Sequence, residues 1–273
     1  MKPVIVIKQG GSSLSNSATL AELAALVRGY RKRRYQVVVV HGGGPAINAE
    51  LTKRGIQWKF IDGQRQTTPE MIDVIDQVLA QDVNGAVVES LSRARIHAAG
   101  MSGAHGILFC SQASPELMRV GKIGYVDVAP IEAQLARFGS PTPVIAPIGI
   151  GDQGEKYNIN ADWAATQIAI ALGAKRLIFL TDQNGILDGE KNLIQKATPR
   201  HIEVMIEDGV ISGGMMTKTR AMMAALQAGV KKVLVLNAAF ASHLLTENKI
   251  GTLLTDSKAS VAGERNVLHE RAS

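Results

Sequence analysis

One lysine and two sets of glycines stand where apolar runs end, a second lysine and an aspartate stand at helix starts, and their chemistry suits phosphate. Lys8 ends the run Val4-Ile5-Val6-Ile7 and opens onto Gln9-Gly10-Gly11-Ser12-Ser13, while His41 ends Val37 to Val40 and opens onto Gly42-Gly43-Gly44-Pro45. Ligands of open α/β sheets bind beyond the carboxyl ends of strands. Glycines there let backbone N–H groups approach an anion that also faces a helix N-terminus. Two such loops on neighbouring strands would hold one phosphate from two sides. The plainer reading, a tight turn after each strand, fits one Gly-Gly better than two with a lysine at the mouth.

Two further helix starts carry charge. Asn158-Ile159-Asn160-Ala161-Asp162 places Asn160 at an N-cap and Asp162 in a first turn, which is ordinary capping chemistry when taken alone. Gly213-Gly214-Met215-Met216-Thr217-Lys218 puts Lys218 near the positive end of a helix dipole. A bound polyanion would explain a cation there, and an exposed surface lysine is the alternative. Arg65, in Asp62-Gly63-Gln64-Arg65-Gln66-Thr67, is a planar bidentate donor just before a helix beginning near Thr68-Pro69, and such a group suits a carboxylate. His41 reads as a strand-end structural residue rather than a base. The six histidines are too scattered for metal spacing, and no metal site is expected. Neither glycine loop is G-x-x-x-x-G-K-[ST] or G-x-G-x-x-G, and no protein-kinase or G-x-S-x-G signature occurs.

The elements that must position these groups follow from apolar periodicity. Buried-type strands are predicted over Val4 to Lys8, Gln36 to Val40, Pro143 to Ala146, Arg176 to Leu180 and Lys232 to Leu236. Weaker candidates lie at Gln57 to Ile61, Gly106 to Cys110 and Thr252 to Leu254. Helical spacing runs over Ala18 to Lys32, Pro45 to Arg54, Pro69 to Gln81, Asn84 to Ala98, Asn160 to Leu172 and Met215 to Ala228. Gly55, Gly100, Gly173 and Gly229 follow helix ends where a left-handed cap is wanted. Strands alternating with helices predict an α/β protein, a three-layer α/β/α sandwich around a mainly parallel sheet. No linker or repeat interrupts it, so any two lobes must be joined tightly around residues 173 to 176, and the polar tail over 257–273 is expected to fray.

Composition fixes the class. The chain has 273 residues, 46% hydrophobic, 20% charged and 4% aromatic, which suits a folded globular protein. No apolar run approaches the roughly 20 residues of a membrane span. Met1-Lys2-Pro3 leads straight into a strand rather than a secretory apolar region. The single cysteine, Cys110, excludes an internal disulfide and points to a reducing, cytoplasmic setting. Thirty Lys and Arg against 24 Asp and Glu give +6. The basic residues are scattered, and the densest run, Arg28 to Arg34, ends a helix where cations suit the dipole, so no nucleic-acid partner is expected.

Taken in order, I-K-Q-G-G-S-S (7–13), V-H-G-G-G-P (40–45), D-G-Q-R-Q-T (62–67), N-I-N-A-D (158–162), L-T-D-Q-N-G-I-L (180–187), G-G-M-M-T-K (213–218) and G-T (251–252) resemble the amino-acid kinase family over most of the chain. Within it they are closest to members that phosphorylate the side-chain carboxylate of N-acetyl-L-glutamate in arginine biosynthesis. The resemblance implies that Lys8 and Lys218 neutralise the transferring phosphoryl group and that Asp162 orients both. It implies that Gly10, Gly11, Gly43 and Gly44 offer N–H groups to phosphate and substrate, and that Arg65 and Asn158 hold the amino-acid carboxylate. It implies an N-terminal lobe over 1–173 for acceptor binding and dimerisation and a C-terminal lobe over 174–256 for ATP. There Thr181, Asp182, Gly185, Ile186, Leu187, Gly214 and Met215 would line the ATP site, with Mg2+ on the ATP phosphates. A cytoplasmic homodimer, weakly or not at all inhibited by arginine, is the matching expectation. Departures stand at Ser102-Gly103-Ala104-His105-Gly106, at Asn237-Ala238 and at Gln64 and Gln66. They leave room for a related acceptor such as an aminoadipate derivative, and a non-catalytic nucleotide-binding regulator is the reading from another class.

Overall fold

The computed structural model describes residues 2–61, 63–246 and 250–256; the tail over 257–273 lies outside them. In chain order the strands are β1 (Val4–Gln9), β2 (Gln36–His41), β3 (Phe60–Ile61), β4 (Gln64–Arg65), β5 (Ala98–Ser102), β6 (Leu108–Gln112), β7 (Gly121–Val126), β8 (Thr142–Ala146), β9 (Ile148–Ile150), β10 (Lys156–Asn158), β11 (Arg176–Thr181), β12 (Lys196–Ala197), β13 (Val233–Asn237) and β14 (Thr252–Leu254). The helices are α1 (Ser17–Lys32), α2 (Gly44–Lys53), α3 (Pro69–Gln77), α4 (Asn84–Arg93), α5 (Ala129–Ala136), α6 (Ala161–Ala171), α7 (Pro199–Glu207) and α8 (Gly213–Gln227).

One eight-stranded sheet, ordered β12-β14-β13-β11-β1-β2-β8-β5, runs through the molecule. Its pairings are parallel except β13 with β14. The central strands are apolar through their middles because both faces are covered, with polar residues only at their ends. Alternation assigns each residue to a side. Val4, Val6, Val38, Val40, Leu177 and Phe179 pack with α5, α6, α7 and α8. Ile5, Ile7, Val37, Val39, Ile178 and Leu180 pack with α1 and α4. This is the expected three-layer sandwich, and each fully buried Val or Ile contributes about 1.5–3 kcal/mol. The sheet passes without a break from β1 to β11, and the residues at 173–175 link α6 to β11.

Several expectations are corrected. A second sheet, β10-β9-β6-β7, and the hairpin β3-β4 stand apart from the main one. The weak strand at 57–61 is only Phe60–Ile61, and that at 106–110 is displaced to Leu108–Gln112. Helices α5 and α7 have no counterpart in the apolar spacing read from the sequence. The predicted helix 84–98 ends at Arg93, and Arg95 takes the left-handed backbone (φ 58°), so Gly100 lies in β5 and caps nothing. Gly55, Gly173 and Gly229 do follow helix ends with positive φ. Between α3 and α4 the chain stays helical through a π-helical segment, Val78–Val83, which inserts an extra residue per turn. The basic run is exposed at Arg28, Lys32, Arg33 and Arg34, as a solvated helix end should be, and three of its arginines also reach neighbouring carbonyls. Arg28 donates to the Ala94 carbonyl, Arg31 to Ser140 (2.6 Å) and Gly139 (3.0 Å), and Arg33 to Leu245 (2.6 Å).

Candidate active site

The parallel register brings the two glycine loops together, because Gln9 lies beside His41 on the neighbouring strand. They interlock. A Cβ on Gly11 would stand 2.8 Å from the Gly43 nitrogen and 2.9 Å from that of Gly44, and one on Gly42 would stand 2.9 Å from the Gly11 nitrogen. Only glycine permits this backbone approach. Gly11 begins a 3-10 turn, Gly43 is the N-cap of α2 and Gly44 its first residue. Their N–H groups therefore belong to the set that a helix start leaves without an intrahelical acceptor. Gly10 differs from expectation. Its N–H donates to the Leu180 carbonyl (2.8 Å), so it ties β1 to β11 instead of facing the cleft.

Beneath the loops lies a buried charge bridge. Asp162, in the first turn of α6, sits there because Asn160 caps the helix, accepting from the N–H groups of Asp162 (2.9 Å) and Trp163 (3.3 Å). Lys8 Nζ is 2.9 Å from Asp162 Oδ1, and Lys218 Nζ is 2.9 Å from Oδ2. All three side chains are buried. Burial pushes the Asp162 carboxyl up, but the two ammonium groups outweigh it and hold the group below its ordinary value. Lys218 is pulled down by burial and by Lys8, against the attraction of Asp162. The bridge thus carries an excess positive charge waiting for an anion. Lys218 stands in the second turn of α8, because that helix begins at Gly213 rather than Met215.

Two chambers meet at this bridge. One, of about 270 Å3, is lined by Lys8, Gly11, Gly43, Gly44, Arg65 and Asn158 among others. The other, of about 480 Å3, is lined by Thr181, Asp182, Gly185, Ile186, Leu187, Gly214, Met215 and Lys218. Asp162, Asn160 and Gly63 belong to both. Every residue expected at the acceptor and nucleotide sites, Gly10 excepted, therefore lines one of two adjoining cavities. The N-termini of α2, α6 and α8 converge on them, which favours anionic ligands.

Polar partners fix the acceptor chamber. Arg65 donates through Nη2 to Asn48 Oδ1, while its Nη1 is buried without a partner. Asn158 donates to Thr67 Oγ1 (3.1 Å). His41 is wholly buried. Burial lowers its imidazole to about 4, partly offset by its bond to the Gly42 carbonyl (2.9 Å). The neutral ring thus donates from Nδ1 and accepts at Nε2 from Asn84 Nδ2 (3.1 Å). This agrees with a structural role. His105 is exposed and lies outside both chambers, and Gln66 is turned to the Glu116 carbonyl (2.7 Å); of the departures, only Gln64 faces the acceptor chamber. Asn237 donates to the Asp182 carbonyl (3.3 Å) and to Asn184, bracing the nucleotide loop. Cys110 is no nucleophile, since burial pushes its thiol up to about 12. Sequence reading missed Asn48 and Asn160 as site residues, although Asn160 was visible as a cap.

Residues 3–237 match the model of the amino acid kinase family. Among curated relatives, an acetylglutamate kinase of Bacillus cereus (strain G9842) is 41% identical over 257 residues, spanning 93% of this chain and 98% of that one. One of Granulibacter bethesdensis is 38% identical over 268 residues, spanning 92% and 89%. A crystal structure from Streptococcus mutans UA159 superposes with TM-score 0.80 at 29% identity, covering 94% of this chain and 100% of that one. For the carbamate kinase of Giardia lamblia bound to AMP-PNP the values are 0.66, 17%, 94% and 99%, a likeness of fold.

Proposed function

The chain belongs to the amino acid kinase family, and from that premise we propose that it transfers the γ-phosphoryl group of ATP to the side-chain carboxylate of N-acetyl-L-glutamate. The product is an acyl phosphate of arginine biosynthesis. The observation that carries the reading is the Lys8–Asp162–Lys218 bridge where the two chambers adjoin. It joins with the 35–41% identity to curated acetylglutamate kinases over nearly the whole chain.

The chemistry follows from the residues. A carboxylate oxygen attacks the γ-phosphorus, the new O–P bond forms, and the bond from phosphorus to the ADP oxygen breaks. No proton moves, so no general base is needed. Positioning and charge stabilisation supply the catalysis. Lys8 and Lys218 face the negative charge on the equatorial oxygens, and Asp162 fixes both ammonium groups. Gly11, Gly43 and Gly44 offer N–H groups from the acceptor side, and Gly214 and Met215 approach from the nucleotide side. Arg65 and Asn158 hold the amino-acid carboxylate, while Thr181, Asp182, Gly185, Ile186 and Leu187 seat the nucleotide. The division into an acceptor lobe over 1–173 and a nucleotide lobe over 174–256 is the corresponding reading of the domains. Among the described residues no three His, Cys, Asp or Glu groups converge to hold a metal, and both oxygens of Asp162 face lysines. Magnesium therefore fits as an ion borne by the ATP phosphates, where it neutralises charge.

The enzyme would work in the cytoplasm as a homodimer; sedimentation showing monomer alone would remove the second part. The test of the reaction is hydroxylamine trapping with MgATP and N-acetyl-L-glutamate, beside glutamate and aminoadipate derivatives. Hydroxamate from N-acetylglutamate, reduced about 10²–10³-fold in Lys218→Ala, is the expected result. Product from another acceptor alone would move the substrate while keeping the chemistry.

A further inference from the structure

The hairpin β3-β4 presents an arrangement that core packing does not explain. Phe60 stands on a two-stranded hairpin set apart from both sheets and Trp58 two residues before it; they are 51% and 36% exposed. Period-two alternation puts them on one face. The register pairs Phe60 with Arg65, and the Gln66 N–H donates to the Lys59 carbonyl (3.1 Å), extending the pairing toward Trp58. Opposed residues in an antiparallel pair share a face, so Arg65 rises between the two rings. Its guanidinium carbon is 4.8 Å from each ring centroid, and the rings stand 5.7 Å apart at 89°.

Both contacts are within cation–π range. They matter because Arg65 is only 6% exposed and has no carboxylate partner among its described contacts. A buried guanidinium normally needs an anion or aromatic faces. Here the rings take two sides, Asn48 takes Nη2, and Nη1 stays buried without an acceptor, while Arg65 as a residue lines the acceptor chamber.

We propose that Trp58 and Phe60 are positioning residues for carboxylate recognition: they box the Arg65 guanidinium so that its Nη1 is held ready for the acceptor. The inference rests on the acceptor being a carboxylate, as proposed above. It adds that the hairpin's aromatic pair sets acceptor affinity without entering the phosphoryl-transfer step. Trp58 lines neither chamber and reaches the acceptor only through Arg65, whereas Phe60 also lines the acceptor chamber itself. Trp58 is therefore the decisive position, and removal of either ring should act on the acceptor and spare the nucleotide.

The variants are Trp58→Leu, Phe60→Leu, their combination, and Trp58→Phe, which keeps a ring. Each leucine variant should raise the acceptor KM about 5- to 30-fold, leaving kcat and the ATP KM within about twofold. Trp58→Phe should restore most of the affinity. An unchanged acceptor KM, or an equal rise in the ATP KM, overturns the proposal. Phenylglyoxal labelling followed by peptide mass spectrometry provides a readout independent of turnover. Arg65 should label several-fold faster in the double variant than in the parent, while Arg54 labels at the same rate in both. Equal labelling of Arg65 also overturns the box. If the parent enzyme phosphorylates no carboxylate, the functional reading fails alone, and the labelling result still decides the inference.

Discussion

At the scale of single residues, the charge bridge makes unequal demands on its members. Asp162 compensates two buried ammonium groups, whereas either lysine can leave without stranding the carboxylate. Asp162→Asn should therefore lose about 3–5 kcal/mol of stability, the usual cost of an uncompensated buried charge. Lys218→Met, which keeps the aliphatic volume, should stay within about 1 kcal/mol of the parent while losing activity. Urea unfolding of both variants checks the order, and equal losses would refute it. His41 makes a second prediction. Its folded pKa is about 4 against an ordinary value of 6.5. A depressed imidazole contributes stability that is complete above 6.5 and is lost as pH falls through about 4. The difference corresponds to about 3 kcal/mol. Stability measured between pH 7 and 4 should fall by that order, and His41→Gln should flatten the slope over that window.

At the scale of elements, the π-helical segment between α3 and α4 determines where Asn84 points. Its side-chain amide donates to His41 Nε2 (3.1 Å) and to the Val144 carbonyl (2.9 Å), joining α4 to β2 and β8. Gly100 in β5 makes room for it, since a Cβ there would stand 2.3 Å from Asn84 Oδ1. Gly100→Ala should thus be destabilising in the parent and less so beside Asn84→Ala. Chemical denaturation of the two single variants and the double measures the coupling, and simple additivity would show that the contact is not the cause. The same region shows what periodicity could and could not give. The five buried strands were legible because unbroken Val, Ile and Leu runs suit a sheet covered on both faces. A π turn leaves no mark in a 3.6-residue pattern, so the two helices read as separate. The second sheet was hidden for another reason: β9 is only three residues long and β7 is interrupted by two glycines, so neither shows a sustained apolar face. The glycine loops and the Asn160 cap were readable locally. The bridge was not, because nothing in their spacing brings Lys8, Asp162 and Lys218 together; only family resemblance joined them.

At the scale of the whole molecule, one sheet carries both chambers, and this constrains how the protein melts and binds. Strand β1, which brings Lys8, pairs with β11, which ends in Thr181, over five residues in parallel register. Core residues of the two strands alternate between the same two clusters, with Val6 and Phe179 on one side and Ile7 and Ile178 on the other. Exposing either of the two proposed lobes would strip that seam of its apolar cover, so the two halves of the chain should unfold together despite a length at which intermediates are common. Tryptophan fluorescence, from Trp58 on the hairpin and Trp163 in α6, should follow the same urea transition as far-UV circular dichroism. Both probes should shift together when ligand is added. The shift has an expected size and a charge dependence. The bridge holds two ammonium groups against one carboxylate, so the proposed substrate MgATP would supply the missing negative charge where the chambers meet. At about 100 times Kd it should add about 2.7 kcal/mol. Lys218→Met removes the excess charge, and its ligand-induced gain should be smaller while the two probes still coincide. Two separate transitions in the parent would show that the lobes fold independently, and an undiminished gain in Lys218→Met would show that nucleotide binding does not draw on the bridge.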